Sequence, residues 1–335
     1  MRTILLATTA VLAIAGCATA PVEEKAPAAD AALSVAAAPT ARRAAPAAPA
    51  PAAPAAAPAA NTQAVSRVID LGQGVSMLMG QGGNLGLSVG ADGVFMIDDQ
   101  FTTNAVANLA KIEEIAKGKP KFLINTHWHF DHAGGNEVFA KAGATVFASD
   151  AVRRRLTGET VTTGRTALAA PLPKEAWPVI TFVNGIDFHL NGQTIRAIRA
   201  PMPAHTDGDT FIYFVEADVL HTGDTYMKDR YPFVDTGSGG MQIGFIAAIK
   251  KALEIAKPTT KIIPGHGELA TRADLEAALA MHEGARAAVE AQIKAGKTLE
   301  QAIAAKPLAQ WTPRFGGQAG SDDSYVTVIY NELKK

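Results

Sequence analysis

The chain has 335 residues, 48% of them hydrophobic, one cysteine and a formal net charge of −1. That balance excludes a polyanion as partner, because gripping nucleic acid takes a concentrated basic face and Arg153-Arg154-Arg155 alone is not one. The single cysteine excludes an internal disulfide, so the fold must rest on its apolar core.

Residues 1–16 begin with Arg2 and continue through an apolar run too short to span a bilayer as a permanent helix, the pattern of a signal peptide. The run ends in Ile14-Ala15-Gly16-Cys17, which resembles a bacterial lipobox. Lipidation of Cys17 is the expectation, and with it attachment to a membrane through the lipid. Ala18 resembles the residue found there in lipoproteins forwarded to the outer membrane, so export to the periplasmic face of the envelope is expected. Residues 17–60 are almost entirely Ala and Pro, which suits an extended tether, since repeated Pro removes backbone donors and Ala offers little surface to bury. A folded domain is expected over residues 61–335.

Short β-rich runs from Val68 to Ile97, separated by Gly-rich breaks, predict an antiparallel meander. Gly80-Gln81-Gly82-Gly83-Asn84 reads as a turn within it, either plain or a flexible tip over a substrate. Thr102 or Thr103 is placed to cap a helix with Val106, Leu109, Ile112 and Ile115 on one face. Lys121 to Ile124 then reads as a buried strand, Asn136 to Ala142 as a helix, Thr145 to Ala148 as a strand and Asp150 as a helix start. Pro171-Leu172-Pro173-Lys174-Glu175 is an insert that could wall a pocket. A second half repeats the theme, with strand-like runs at 179–182, 187–190, 194–198, 211–215 and 219–220 and helices at 243–256 and 273–294. The C-terminal residues Tyr325, Val328, Ile329 and Leu333 are expected to pack on the domain. Strands followed by helices, twice over, predict two sheets packed face to face with helices outside, an α+β domain.

The sharpest chemical signal is His127-Trp128-His129-Phe130-Asp131-His132, which puts four metal-capable side chains into six residues after a buried strand. His205 in Ala-His-Thr, Asp224 in Gly-Asp-Thr and His266 in Gly-His-Gly are weaker signals, each beside small residues that permit tight turns. Taken singly, each would more often be a turn residue. His189, His221 and His282 are expected to be structural or on the surface. Tyr226 could reach a substrate or simply pack, and Trp128 and Phe130 are read as support beneath the loop.

His-x-His-x-Asp-His, then a lone His, Gly-Asp-Thr and Gly-His-Gly together resemble the metallo-β-lactamase-fold hydrolase superfamily, from about Ser66 onward. The resemblance implies an αββα sandwich and two divalent metal ions, with zinc as the expected metal. His127, His129 and His205 would hold one ion, Asp131, His132 and His266 the other, and Asp224 would bridge them. It implies a small-molecule substrate, attacked at a carbonyl ester, thioester, lactone or lactam by a hydroxide shared between the ions, with Asp131 as the catalytic carboxylate. An aspartate at the bridge is usual in the glyoxalase II, lactonase and phosphodiesterase branches and absent from true β-lactamases, which counts against a dedicated β-lactamase. Three alternatives remain open on sequence: β-lactamase activity as main or side function, an iron-dependent enzyme resembling the persulfide dioxygenases, and a non-catalytic metal-binding envelope lipoprotein.

Overall fold

A computed structural model describes residues 65–163 and 170–335. The expected signal peptide, Cys17 and the Ala/Pro tether lie outside the described residues.

The meander forms as expected from β1 (Arg67–Gly72), β2 (Val75–Met79), β3 (Leu85–Gly90) and β4 (Gly93–Ile97), all paired antiparallel. β5 (Pro120–Ile124), β6 (Thr145–Ser149) and β7 (Ile180–Phe182) extend the sheet in parallel, giving seven strands in chain order. Parallel neighbours need a crossover, and α1 (Thr102–Ala116) supplies it between β4 and β5. Two short helices, α2 (Phe130–Ala133) and α3 (Asn136–Lys141), fill the next connection, and α4 (Asp150–Leu156) follows β6.

The second sheet runs in the order β12-β11-β10-β9-β8. Its strands are β8 (Gly185–Leu190), β9 (Gln193–Arg199), β10 (Thr210–Phe214), β11 (Val219–His221) and β12 (Lys261–Ile263). The pairs are antiparallel except β11 with β12, which are parallel across α5 (Gln242–Ile255). The last of these strands, β12 (Lys261-Ile262-Ile263), is absent from the sequence expectation.

The two sheets face each other. Phe95, Ile97, Ile124 and Phe147 from one sheet meet Ile195, Ile212, Phe214 and Ile263 from the other in a common apolar layer. Phe188 closes it edge-on, with ring centroids 5.1 Å from Phe95 and 5.0 Å from Phe147. α1 and α3 cover the first sheet through Ala105, Ile112 and Phe139. On the second sheet, α5 packs with α6 (Arg272–Lys294) and α9 (Ser321–Leu333), and two short helices, α7 (Leu299–Ala304) and α8 (Thr312–Phe315), lie between them in sequence. α6 buries Leu275, Ala278, Met281, His282, Ala285 and Val289, a helical stripe, and the Asp274 carboxylate accepts the Thr271 backbone N–H at 2.9 Å at its start.

Two local expectations are corrected. Phe101, not a threonine, is the N-cap of α1, and the Thr102 hydroxyl instead donates to the Gly134 carbonyl at 2.6 Å, tying the helix start to the segment after the histidine motif. Leu172 packs with Trp177 against the small cluster around Trp128, so the Pro171–Glu175 stretch covers buried core and does not wall the main cleft. Of the two readings of residues 80–84, the contacts support the plain turn. Gly83 donates to the Asp131 carbonyl at 2.9 Å, and Asn84 Nδ2 donates to the carbonyls of Pro264 and Gly267 at 2.8 and 2.9 Å.

Candidate metal centre

The site assembles at the carboxyl ends of parallel strands, where an open sheet leaves a crevice. Ile97 of β4 pairs with Ile124 of β5, and Asp98 and the His127 loop follow directly. His221 of β11 pairs with Ile263 of β12, so Asp224 and His266 leave their strands in step. The two loops are stitched together by the Gly265 N–H, which donates to the Gly223 carbonyl at 2.9 Å. A Cβ on Gly265 would come within 1.8 Å of Asp224 Oδ1, which is why glycine stands there. His205 arrives from the turn between β9 and β10, where Asp209 accepts its backbone N–H at 2.8 Å.

The seven residues singled out from the sequence converge. Ligand-capable atoms of His127, His129 and His205 lie within 4.8 Å of one another, as do those of His127, His132 and Asp224, and those of Asp131, His132 and His266. Asp224 sits between the groups: its Oδ1 is 3.1 Å from His132 Nε2, and its Oδ2 is 3.4 Å from His205 Nε2 and 3.3 Å from His266 Nε2.

Outer partners settle which ring nitrogen faces inward. His205 Nδ1 lies 2.7 Å from the Phe233 carbonyl, an acceptor only, so Nδ1 carries the proton. His129 Nε2 lies 2.8 Å from the Asp235 carboxylate and donates to it. The inward atoms, His205 Nε2 and His129 Nδ1, lie 2.7 Å apart, and unless a proton is shared between them their lone pairs face each other. Thr126 Oγ1 donates to Asp98 at 2.8 Å and accepts from His127 Nδ1 at 3.0 Å, leaving His127 Nε2 as a buried lone pair without a hydrogen-bond partner. Converging lone pairs repel unless a proton or cation lies between them, and imidazole with carboxylate is a donor set for a divalent metal. The residues fit such an ion.

Sequence reasoning missed Asp98, whose carboxylate accepts from Thr126 N at 2.7 Å, from Thr126 Oγ1 and from His132 Nδ1 at 2.7 Å. One buried acid thus orients a histidine of each group, directly for His132 and through Thr126 for His127. Asp235 was also missed. The available signals were weak: an acidic pair, Asp98-Asp99, ending an apolar strand, and a lone Asp before a Gly-rich turn.

Burial and neighbouring charge divide the cluster electrostatically. Burial, reinforced by His132, pushes His127 well below the usual histidine range, and burial with His129 pushes His205 down to about 4. Burial also pulls on His132 and His266, but Asp224 and Asp131 outweigh it, holding His132 well above its ordinary value and His266 up at about 9. Burial opposes charge on Asp224 and Asp131 too. Around Asp224, His266 and His132 win and keep it well below the carboxylate range. His132 and a hydrogen bond from His266 hold Asp131 down at about 2. His127 and His205 are thereby held as neutral imidazoles, while Asp131 and Asp224 form an anionic pair compensated by His132 and His266.

The other sequence candidates separate by position. His189 is exposed on β8. His221 is buried and structural, donating from Nε2 to the Asn84 carbonyl at 3.0 Å and accepting the Gly223 N–H at 3.1 Å. His282 is buried 2.5 Å from the Tyr325 hydroxyl. Tyr226 is 2% exposed within the apolar layer beneath α5, which favours packing over substrate contact. Trp128 is fully buried beside His129, whereas Phe130, read with it as support under or beside the loop, is 39% exposed and lines the cleft.

A two-sheet sandwich with histidines and aspartates gathered at one edge defines a class of proteins built around a metal-binding crevice. The chain belongs to the metallo-beta-lactamase superfamily, whose family model matches residues 80–266. It is 28% identical over 147 residues to a hydroxyacylglutathione hydrolase of Pelagibacter ubique (strain HTCC1062), covering 44% of this chain and 51% of that protein. It is 22% identical over 167 residues to the acyl-coenzyme A thioesterase MBLAC2 of Homo sapiens, covering 46% and 58%. The chain thus spans about half the length of these curated relatives. The fold is shared with a metallo-beta-lactamase from Pontibacter korlensis, at a TM-score of 0.55 and 18% identity over 65% of this chain and 98% of that one.

Proposed function

We propose that the chain is a two-metal hydrolase acting on a carbonyl ester, thioester, lactone or lactam, with a thioester as the favoured substrate. The observation that carries the reading is the convergence of ligand-capable atoms in three groups of His and Asp side chains, with inward ring nitrogens of His129 and His205 2.7 Å apart beside the buried Asp224. His127, His129 and His205 would hold one ion, Asp131, His132 and His266 the second, with Asp224 between them. Two divalent ions, zinc in this reading, would supply a water acidified toward neutrality and Lewis-acid polarisation of the carbonyl oxygen.

The remaining work falls to the chain's own side chains. Asp131, with its side chain 25% exposed, reaches the open cleft and orients the attacking water as a proton acceptor. Asp98 and Asp235 hold His132 and His129 in register. Phe101, Phe130 and Phe233 line the cleft and exclude bulk water from the reacting carbonyl. The thioester preference draws on the two relatives named for thioester chemistry. Export and lipid anchoring at Cys17 belong to the same proposal and rest on Ile14-Ala15-Gly16-Cys17.

The test is metal content by plasma mass spectrometry together with a thioester, ester, lactone and β-lactam panel. About two zinc per chain with thioester turnover supports the reading. One iron with oxygen consumption would redirect it to dioxygenase chemistry, and stoichiometric metal without turnover would leave a binding protein.

A further inference from the structure

The cleft above the histidine cluster encloses about 430 Å³, within the ~300–1,000 Å³ usual for small-molecule sites. Phe101 and Phe130, each 39% exposed, form one wall, with Met227, Tyr231 and Phe233 also lining the space. Outside the metal-ligand cluster, one charged side chain lines it among the described residues: Arg230, which is exposed.

The basic residues near Arg230 in sequence or space are already engaged. Lys228 Nζ lies 3.6 Å from Asp274 and donates to the Leu269 carbonyl at 2.9 Å. Arg314 reaches Asp229 at 2.6 Å and Asp274 at 2.9 Å. These contacts occupy Asp229 and Asp274, and Arg230 has no carboxylate within ion-pair distance among the described residues. Its backbone is nevertheless fixed. Arg230 forms an antiparallel bridge with Gly316, and the Tyr231 N–H donates to the Phe315 carbonyl at 2.8 Å. Gln318, from the same C-terminal segment, also lines the cleft. This clip comes from chain beyond residue 266, outside the part matched by the family model.

An arginine held on a bridged backbone at the wall of an aromatic cleft, with Asp229 and Asp274 paired to other cations, is a counter-charge for an anion that arrives with the ligand. We propose that the cleft takes an acyl substrate whose apolar body lies along Phe101, Phe130 and Phe233 and whose far end carries a carboxylate received by Arg230 and Gln318. This rests on the hydrolase reading for what happens at the near end. A single guanidinium balances one negative charge and offers paired N–H donors that match a carboxylate's two oxygens.

The test compares octanedioic acid with its monoamide, binding to the metal-loaded protein followed by titration calorimetry. Both ligands offer one carboxylate to the cluster and differ only at the far end. The wild type binds the diacid about tenfold more tightly, and Arg230→Gln brings the ratio to within about twofold. Arg230→Glu shifts the preference toward the ω-amino acid of the same length, a gain that a misfolded variant cannot show. Equal affinity for diacid and monoamide, no binding of either, or a preference that survives Arg230→Gln overturns the proposal. Cleavage of p-nitrophenyl thioesters is scored separately. A protein that discriminates the diacid but cleaves nothing keeps the subsite and loses the hydrolase reading, whereas one that cleaves without discrimination loses only the subsite.

Discussion

Asp98→Asn is the substitution that most directly tests how the centre is held. The carboxylate is fully buried and accepts from the Thr126 N–H on Oδ1 and from Thr126 Oγ1 and His132 Nδ1 on Oδ2, at 2.7 to 2.8 Å. An amide has the same size but one acceptor oxygen, so in either orientation its NH2 meets a donor. Turned toward His132, it forces the ring to carry its proton on Nε2, the atom that faces Asp224. Turned toward Thr126 N, it leaves a backbone N–H unpaired in the interior. Losing one such bond costs about 1–3 kcal/mol, and outer-partner changes of this kind weaken metal binding by roughly 10–100-fold. Zinc affinity measured against a chromophoric chelator, with thermal unfolding alongside, reads both effects. Asp187→Asn, at a surface pair with Arg196, serves as the control. Wild-type affinity for every equivalent of zinc, together with an unchanged melting temperature, would refute the assignment of Asp98 as the shared orienting group.

Further outcomes follow from the same geometry. Asp131→Asn is expected to lower kcat for thioester cleavage by about 10²–10⁴-fold while moving the melting temperature little, because the side chain is partly exposed; unchanged kcat would remove Asp131 from the chemistry. Gly83→Ala places a Cβ 2.1 Å from His132 Cε1, a ring already pinned by Asp98, so the zinc stoichiometry should fall, and a variant that keeps the full complement would show that the ring can yield. Burial pushes His282 down to about 3, below its unfolded value, so the unfolded chain binds the extra proton between those limits. The contribution is complete above about pH 6.5 and lost as pH falls toward 3, amounting to about 5 kcal/mol at most. Urea titrations at neutral and acid pH should show a shallower acid limb for His282→Gln, and parallel limbs would contradict this.

Much of the site is legible in the amino-acid order because its signals are local. Four of the ligand-capable side chains fall within His127 to His132, and small residues beside His205, Asp224 and His266 mark the turns that aim them. The strands leading into these loops show as short apolar runs, and the helical stripe of α6 as an apolar period. These are properties of neighbouring residues, which a linear chain records directly.

The features that only the folded chain decided join residues far apart in sequence. Asp98 meets Thr126 across 28 positions, Asp235 meets His129 across 106, and Asn84 meets Pro264 across 180. None has a periodic signature, because each contact depends on which strand ends the sheets bring together. Orientation was equally hidden. The tight turn at Gly223–Thr225 carries Tyr226 into the core, while the start of α2 leaves Phe130 on the cleft wall. The amino-acid order determined which metal-capable groups the chain carries and on which loops. The packing of two sheets determined which acids orient them and which walls surround them, since a hydrogen bond or a cleft forms only when distant backbones are held within a few ångströms.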